Sequence, residues 1–75
     1  MYTVVGFRHV TAKKDGQKYV ELHLTAEDRF VTGVRCECVF VRFDMIHNAA
    51  SLDLGSIASL SYNRFGRIES VTIHV

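Results

Sequence analysis

Proline is absent from this 75-residue chain, and cysteine occurs only twice. No proline-rich or other low-complexity run divides the chain, and no repeat is evident. A linker between domains is therefore not expected. The two cysteines, Cys36 and Cys38, stand two apart on a strand-like stretch. Such side chains project in parallel, roughly 6–7 Å apart, which is poor disulfide geometry. Buried, reduced thiols are expected. No apolar run is long enough for a transmembrane helix. The opening residues "MYTVVGFRHV" lack a charged leader and a signal-type apolar stretch, so a cytoplasmic protein is expected. Charge of one sign is scarce too, with nine Lys and Arg against eight Asp and Glu, net +1. A broadly basic domain is excluded, and any basic surface must come from local clustering.

What is present is ordinary globular material, 48% hydrophobic and 23% charged, which argues against disorder. One domain over 1–75 is expected. A chain this short buries only about 60% of its unfolded surface, so a partner subunit is a natural source of extra stability.

The periodicity is mostly two. "YTVVGFRHVT" is rich in β-branched and aromatic residues, and Gly6 within it marks a bulge or bend. "KKDGQK" follows, where Asp15-Gly16 is a hairpin signal. "YVELHLT" alternates, with Val20, Leu22 and Leu24 on one face and Tyr19, Glu21 and His23 on the other. "AEDRFVTG" reads as a polar connection with one apolar pair. In "VRCECVFVRF", Val34, Cys36, Cys38 and Phe40 share one face, opposite Arg35, Glu37, Val39 and Val41. Apolar residues on both faces suggest cover on both sides. "DMIHNAAS" is the one candidate helix, with Asp44 as its N-cap and Met45, Ile46, Ala49 and Ala50 as its apolar side. A fourth strand enters through Gly55, and the turn "NRFG" leads to a last strand, "RIESVTIHV".

The expected order is β-β-β-short α-β-β. An all-β domain with small α content follows: a five-stranded OB-fold-like Greek-key barrel with a short helix between strands 3 and 4. An SH3-like barrel is the alternative. With its first strand running into "KKDGQKYVELHL", the central "CECVFVRF" and the terminal "SLSYNRFGRIESVTI", the chain resembles the small OB-fold single-stranded DNA-binding proteins of phages and mobile elements. The filamentous-phage gene V type is the best-known example. The resemblance implies a homodimer that coats single-stranded DNA with little sequence preference, in phage or mobile-element replication.

A single strand offers phosphates and unpaired base faces, so a binding surface needs cations interleaved with exposed aromatics. Arg64 and Arg67 flank Phe65 at the last turn, with Tyr62 just before it. Lys13, Lys14 and Lys18 gather at the first turn. In OB-folds these two loops flank the nucleic acid, and both are expected on one side of the barrel. Arg8, His9, Tyr19, His23 and Arg35 are expected on its outer face. The bland readings stand beside these: Phe65 as a plug on the barrel end, Tyr62 and Phe7 as core, Arg42-Phe43 as a barrel closure, and the lysines as an ordinary solvated hairpin.

Catalysis, cofactors and metals find little support. His9, His23, His47 and His74 are scattered, and Cys36-x-Cys38 lacks the spacing of a structural zinc pair. The expected function is non-enzymatic single-stranded nucleic-acid binding, DNA before RNA. The alternative is a protein-interaction or assembly module using barrel edges, the helix side (Met45, Ile46) and the hairpin aromatics. A homodimer is expected under both, since Val39-Phe40-Val41 offers more apolar surface than one small core needs.

Overall fold

The computed structural model describes all of residues 1–75. Six strands form one sheet: β1 (Tyr2–Thr11), β2 (Lys18–Glu27), β3 (Val34–Arg42), β4 (Ile46–His47), β5 (Ile57–Tyr62) and β6 (Ile68–His74). Their order across the sheet is β3-β2-β1-β5-β6-β4. All neighbours are antiparallel except β4, which lies parallel to β6. The chain is all-β, as expected. The sheet curls so that β6 approaches β3, but no ladder joins them. It is an open sheet of six strands, where a closed five-stranded barrel was expected.

Period-two patterning places the core. Val20, Leu22 and Leu24 point inward and are fully or almost fully buried, each stabilising the fold by about 1.5–3 kcal/mol. Val4, Val39, Val41, Ile46, Ala58, Val71 and Ile73 complete the cluster, and Phe7 packs against it half-buried. The register of β1 on β2 slips between Val4 and Gly6, the bulge that Gly6 announced.

The expected helix is absent. Phe43–Met45 and Ala49–Ser51 each make one 3-10 turn, and β4 lies between them. Asp44 does not cap; its carboxylate accepts from the Arg42 guanidinium at 2.9 Å. Ile46 is instead buried opposite Val71. Asn48 then takes a left-handed conformation (φ 63°) and donates its side-chain amide to the Ile73 carbonyl. Burial of one isoleucine and one asparagine bond outweigh the weak propensity of an eight-residue segment.

On β3 the inward face is Arg35-Glu37-Val39-Val41, because Leu22 stands opposite Val39 and Val20 opposite Val41. Cys36, Cys38 and Phe40 therefore face solvent. The thiols are free and exposed, which corrects the expectation of buried ones, and the second half of β3 is covered on its inner side only. No helix is long and apolar enough to cross a membrane.

Candidate nucleic-acid interface

Two loops share one construction. At the β5–β6 turn, the Asn63 side-chain oxygen accepts from the backbone N–H groups of Phe65 (2.9 Å) and Arg67 (3.1 Å). The Asn63 N–H donates to the Arg67 carbonyl, and the Gly66 N–H to the Asn63 carbonyl. Gly66 sits at φ +77°, a region side chains other than glycine enter at a cost. The turn is thus pinned at four points. Phe65 is held outward with its ring 74% exposed, and the Arg64 guanidinium lies over it at 5.1 Å. Phe65 is no plug.

At the β2–β3 loop, the Asp28 carboxylate accepts from the Phe30 N–H at 2.9 Å, and the Val31 N–H donates to the Asp28 carbonyl. Phe30 is 83% exposed, with Arg29 over its ring at 4.9 Å. Both sites are Asx turns carrying Asx-Arg-Phe: Asp28-Arg29-Phe30 and Asn63-Arg64-Phe65. Phe30 and Phe65 are the two most exposed of the Phe and Tyr residues. Arg29, Arg64 and Arg67 have no acidic partner, whereas Arg8, Arg35 and Arg42 do.

Both tips leave the sheet at the same end of β1. Thr3 of β1 pairs with Thr25 near the close of β2, and Tyr2 pairs with Ala58, after which β5 runs on to Tyr62. A polar cluster lies at this end. The Arg35 guanidinium donates to the Tyr2 hydroxyl at 2.6 Å and reaches Glu37 (3.3 Å) and Asp28 (3.6 Å). Asp28 thereby joins the Phe30 tip to the sheet. Arg35 is held charged, first by Tyr2 and then by Glu37. Tyr62 is half-exposed; partial desolvation, then the Tyr2 hydroxyl, push its phenol up from the usual range. Arg35 thus belongs to the inner face at this end, not to the outer face.

The lysine turn lies at the opposite end of β1, because Thr11 pairs with Lys18 there. The two basic turns are therefore not on one side of a barrel. The first turn is closed by Ala12 and Gln17 backbone bonds and by Asp15 accepting from the Gln17 N–H. Lys13, Lys14 and Lys18 are exposed and make no ion pair; Lys18 borders hollows lined by His9 and Phe43.

The outer face carries Arg8 and Tyr19, as expected. Tyr19 stacks on Phe40 with centroids 5.2 Å apart at 17°, beside a shallow cleft of about 340 Å³ at the open β3–β6 seam. His9 lies opposite Val20, on the inner side, against Phe7 and Phe43 at 6.0 Å each. The cations of the outer face are occupied: Arg8 binds Glu21 and Arg42 binds Asp44.

Reading residues in order overlooked Arg29, Phe30 and Phe40. The repeated Asx-Arg-Phe triplet was the signal for the first two. No protein-family model, curated protein or solved structure matches this chain.

Proposed function

We propose that the protein is a non-enzymatic binder of single-stranded nucleic acid, DNA before RNA, with little sequence preference. The observation that carries this reading is the pair of Asx-Arg-Phe tips at one end of the sheet. An exposed phenyl ring forgoes about 1.5–3 kcal/mol that burial would return. A base laid on each ring recovers roughly 1–3 kcal/mol by stacking. The arginines beside the rings meet phosphates, and nothing acidic competes for Arg29, Arg64 or Arg67. Tyr62 and Tyr2 lie at the same end. Backbone charge and base faces alone are recognised, so little sequence preference is expected. Lys13, Lys14, Lys18 and the Tyr19–Phe40 stack form a separate, weaker contact.

The test is fluorescence polarisation of labelled oligo-dT at low and moderate salt, beside a duplex control. Salt-sensitive binding to the single strand alone supports the reading. Absence of binding at low salt ends it. The resemblance adds a setting, phage or mobile-element replication, which falls with the reading if no binding is found.

A second reading, an interaction module, is favoured by one observation. Strand β3 has a ladder partner on one side only, and exposed Val34 and Phe40 lie along it. Such an edge accepts another strand, and a second copy adding its own β3 gives the expected homodimer. Sedimentation distinguishes the cases: a dimer that persists in high salt while oligo-dT binding is undetectable favours assembly as the function.

A further inference from the structure

The outer face holds a cluster that the nucleic-acid reading does not use. Glu21 and His23 lie two apart on β2 and so share a face. Cys38 of β3 stands directly opposite His23. One donor atom from each of the three lies within 4.8 Å of the other two. We propose that Glu21, His23 and Cys38 form a binding site for a borderline divalent transition metal, zinc first.

The donor chemistry is specific. Imidazole nitrogen, thiolate sulfur and carboxylate oxygen are the zinc ligand types, and a thiolate in the set disfavours magnesium and calcium. Three protein donors with one position left for water is the usual open zinc arrangement. Bond lengths of about 2.0–2.3 Å require donors about 3.3–3.7 Å apart in a tetrahedron. His23 Nε2 and Glu21 Oε1 now lie 2.7 Å apart and must open. The Cys38 sulfur, within 4.8 Å of both donors, must close in, on strands whose pairing is continuous here.

The surroundings fit a ligand set. Arg8 binds the other carboxylate oxygen, Oε2, at 2.9 Å, leaving Oε1 turned to the imidazole. On the other side of His23 in the sheet stands Gly6. A β-carbon there would lie 3.7 Å from the imidazole Cδ2, so the ring rests on a surface cleared of side chain. Cys38 makes no hydrogen bond, while the Cys36 thiol turns to the Val34 carbonyl at 3.9 Å. Binding breaks the His23 Nε2–Glu21 hydrogen bond, with the ring proton moving to Nδ1 by exchange with solvent, forms one bond from the metal to each donor and releases the Cys38 thiol proton to solvent. The in-strand spacing of Cys36 and Cys38 pointed away from zinc. The set arises only when strand pairing brings Cys38 against His23.

The experiment is a Co²⁺ titration of the reduced, untagged chain, followed by displacement with Zn²⁺. The expected result is a sulfur-to-cobalt charge-transfer band that zinc abolishes. Cys38→Ser should remove the band, and His23→Ala should weaken metal binding by more than about tenfold, since even outer partners of ligands are worth that much. Cys36→Ser should leave both unchanged. All three side chains lie at the surface, and circular dichroism confirms that the variants fold. No band in the parent overturns the site, as does a band that survives Cys38→Ser or disappears with Cys36→Ser. The site lies apart from the Asx-Arg-Phe tips, so oligo-dT binding by those tips neither supports nor weakens it.

Discussion

The β1–β2 and β5–β6 turns are both basic and both close a hairpin through a glycine at positive φ, yet they are built differently. The first carries Lys13 and Lys14 with no ring on the turn itself; the nearest, Phe43, follows β3 and lines the hollow beside Gly16 and Gln17. Long ammonium side chains there keep their rotamer freedom and their hydration, which suits a solvated turn. The second spends the Asn63 side chain on two backbone N–H groups and uses that rigidity to hold a phenyl ring in water. The pin stabilises the turn itself, but holding an apolar ring out in water adds nothing to the folded chain. Such a display has value to a partner, because a backbone fixed beforehand leaves less entropy to lose on contact. The difference teaches that charge counts are a poor guide here. Pinned aromatic rings beside unpaired arginines mark the binding end.

The largest expected effect tests the rings themselves. Replacing Phe30 and Phe65 together by alanine should remove roughly 1–3 kcal/mol of oligo-dT binding per ring while leaving the melting temperature nearly unchanged, because neither ring is buried. Loss of stability in parallel would mean the rings serve the fold.

Next comes the pin. Asn63→Ala frees the Phe65 and Arg67 N–H groups and should cost about 0.5–2 kcal/mol of stability, as loss of a comparable cap does. It should also move binding part of the way toward that of Phe65→Ala. Asp15→Ala at the other turn should leave binding at the parent level.

Glycine substitution compares the turns directly. Gly16→Ala and Gly66→Ala meet open space, so each costs only the left-handed strain, about 1–2 kcal/mol. Equal destabilisation by thermal melts is expected, with weakened oligo-dT binding for Gly66→Ala alone.

The smallest effect is electrostatic. Arg64→Ala should lower the slope of log affinity against log salt by about 0.7, one phosphate on a single strand. Lys13→Ala should change it by less. The reverse ranking would make the lysine turn the main phosphate contact.

Much of the fold was legible because each signal was local. Asp15-Gly16 and Asn63–Gly66 mark turns by their own chemistry, Gly6 marks a bulge, and Val20, Leu22 and Leu24 alternate without interruption. The rest depended on partners far along the chain. Strand β3 has apolar residues on both faces, and only its register with β2 decides that Val39 goes in and Phe40 out. The two residues of β4 are a strand solely because β6 lies beside them, so the same letters read as a helix in isolation. The lysine turn was legible as a basic cluster. Its position relative to the Arg64–Arg67 turn was not, because that depends on how far β5 runs past Tyr2. Phe30 was hidden by context: one apolar pair in a polar loop looks incidental until its twin at Phe65 is seen to share the same Asx turn.

The most direct measurement is amide NMR mapping of the folded protein with oligo-dT added at low salt. The account predicts perturbations concentrated at residues 28–33 and 62–67, with little change at residues 12–18. Perturbations concentrated in the lysine turn and around Tyr19 and Phe40, with the two Asx-Arg-Phe tips silent, would contradict it.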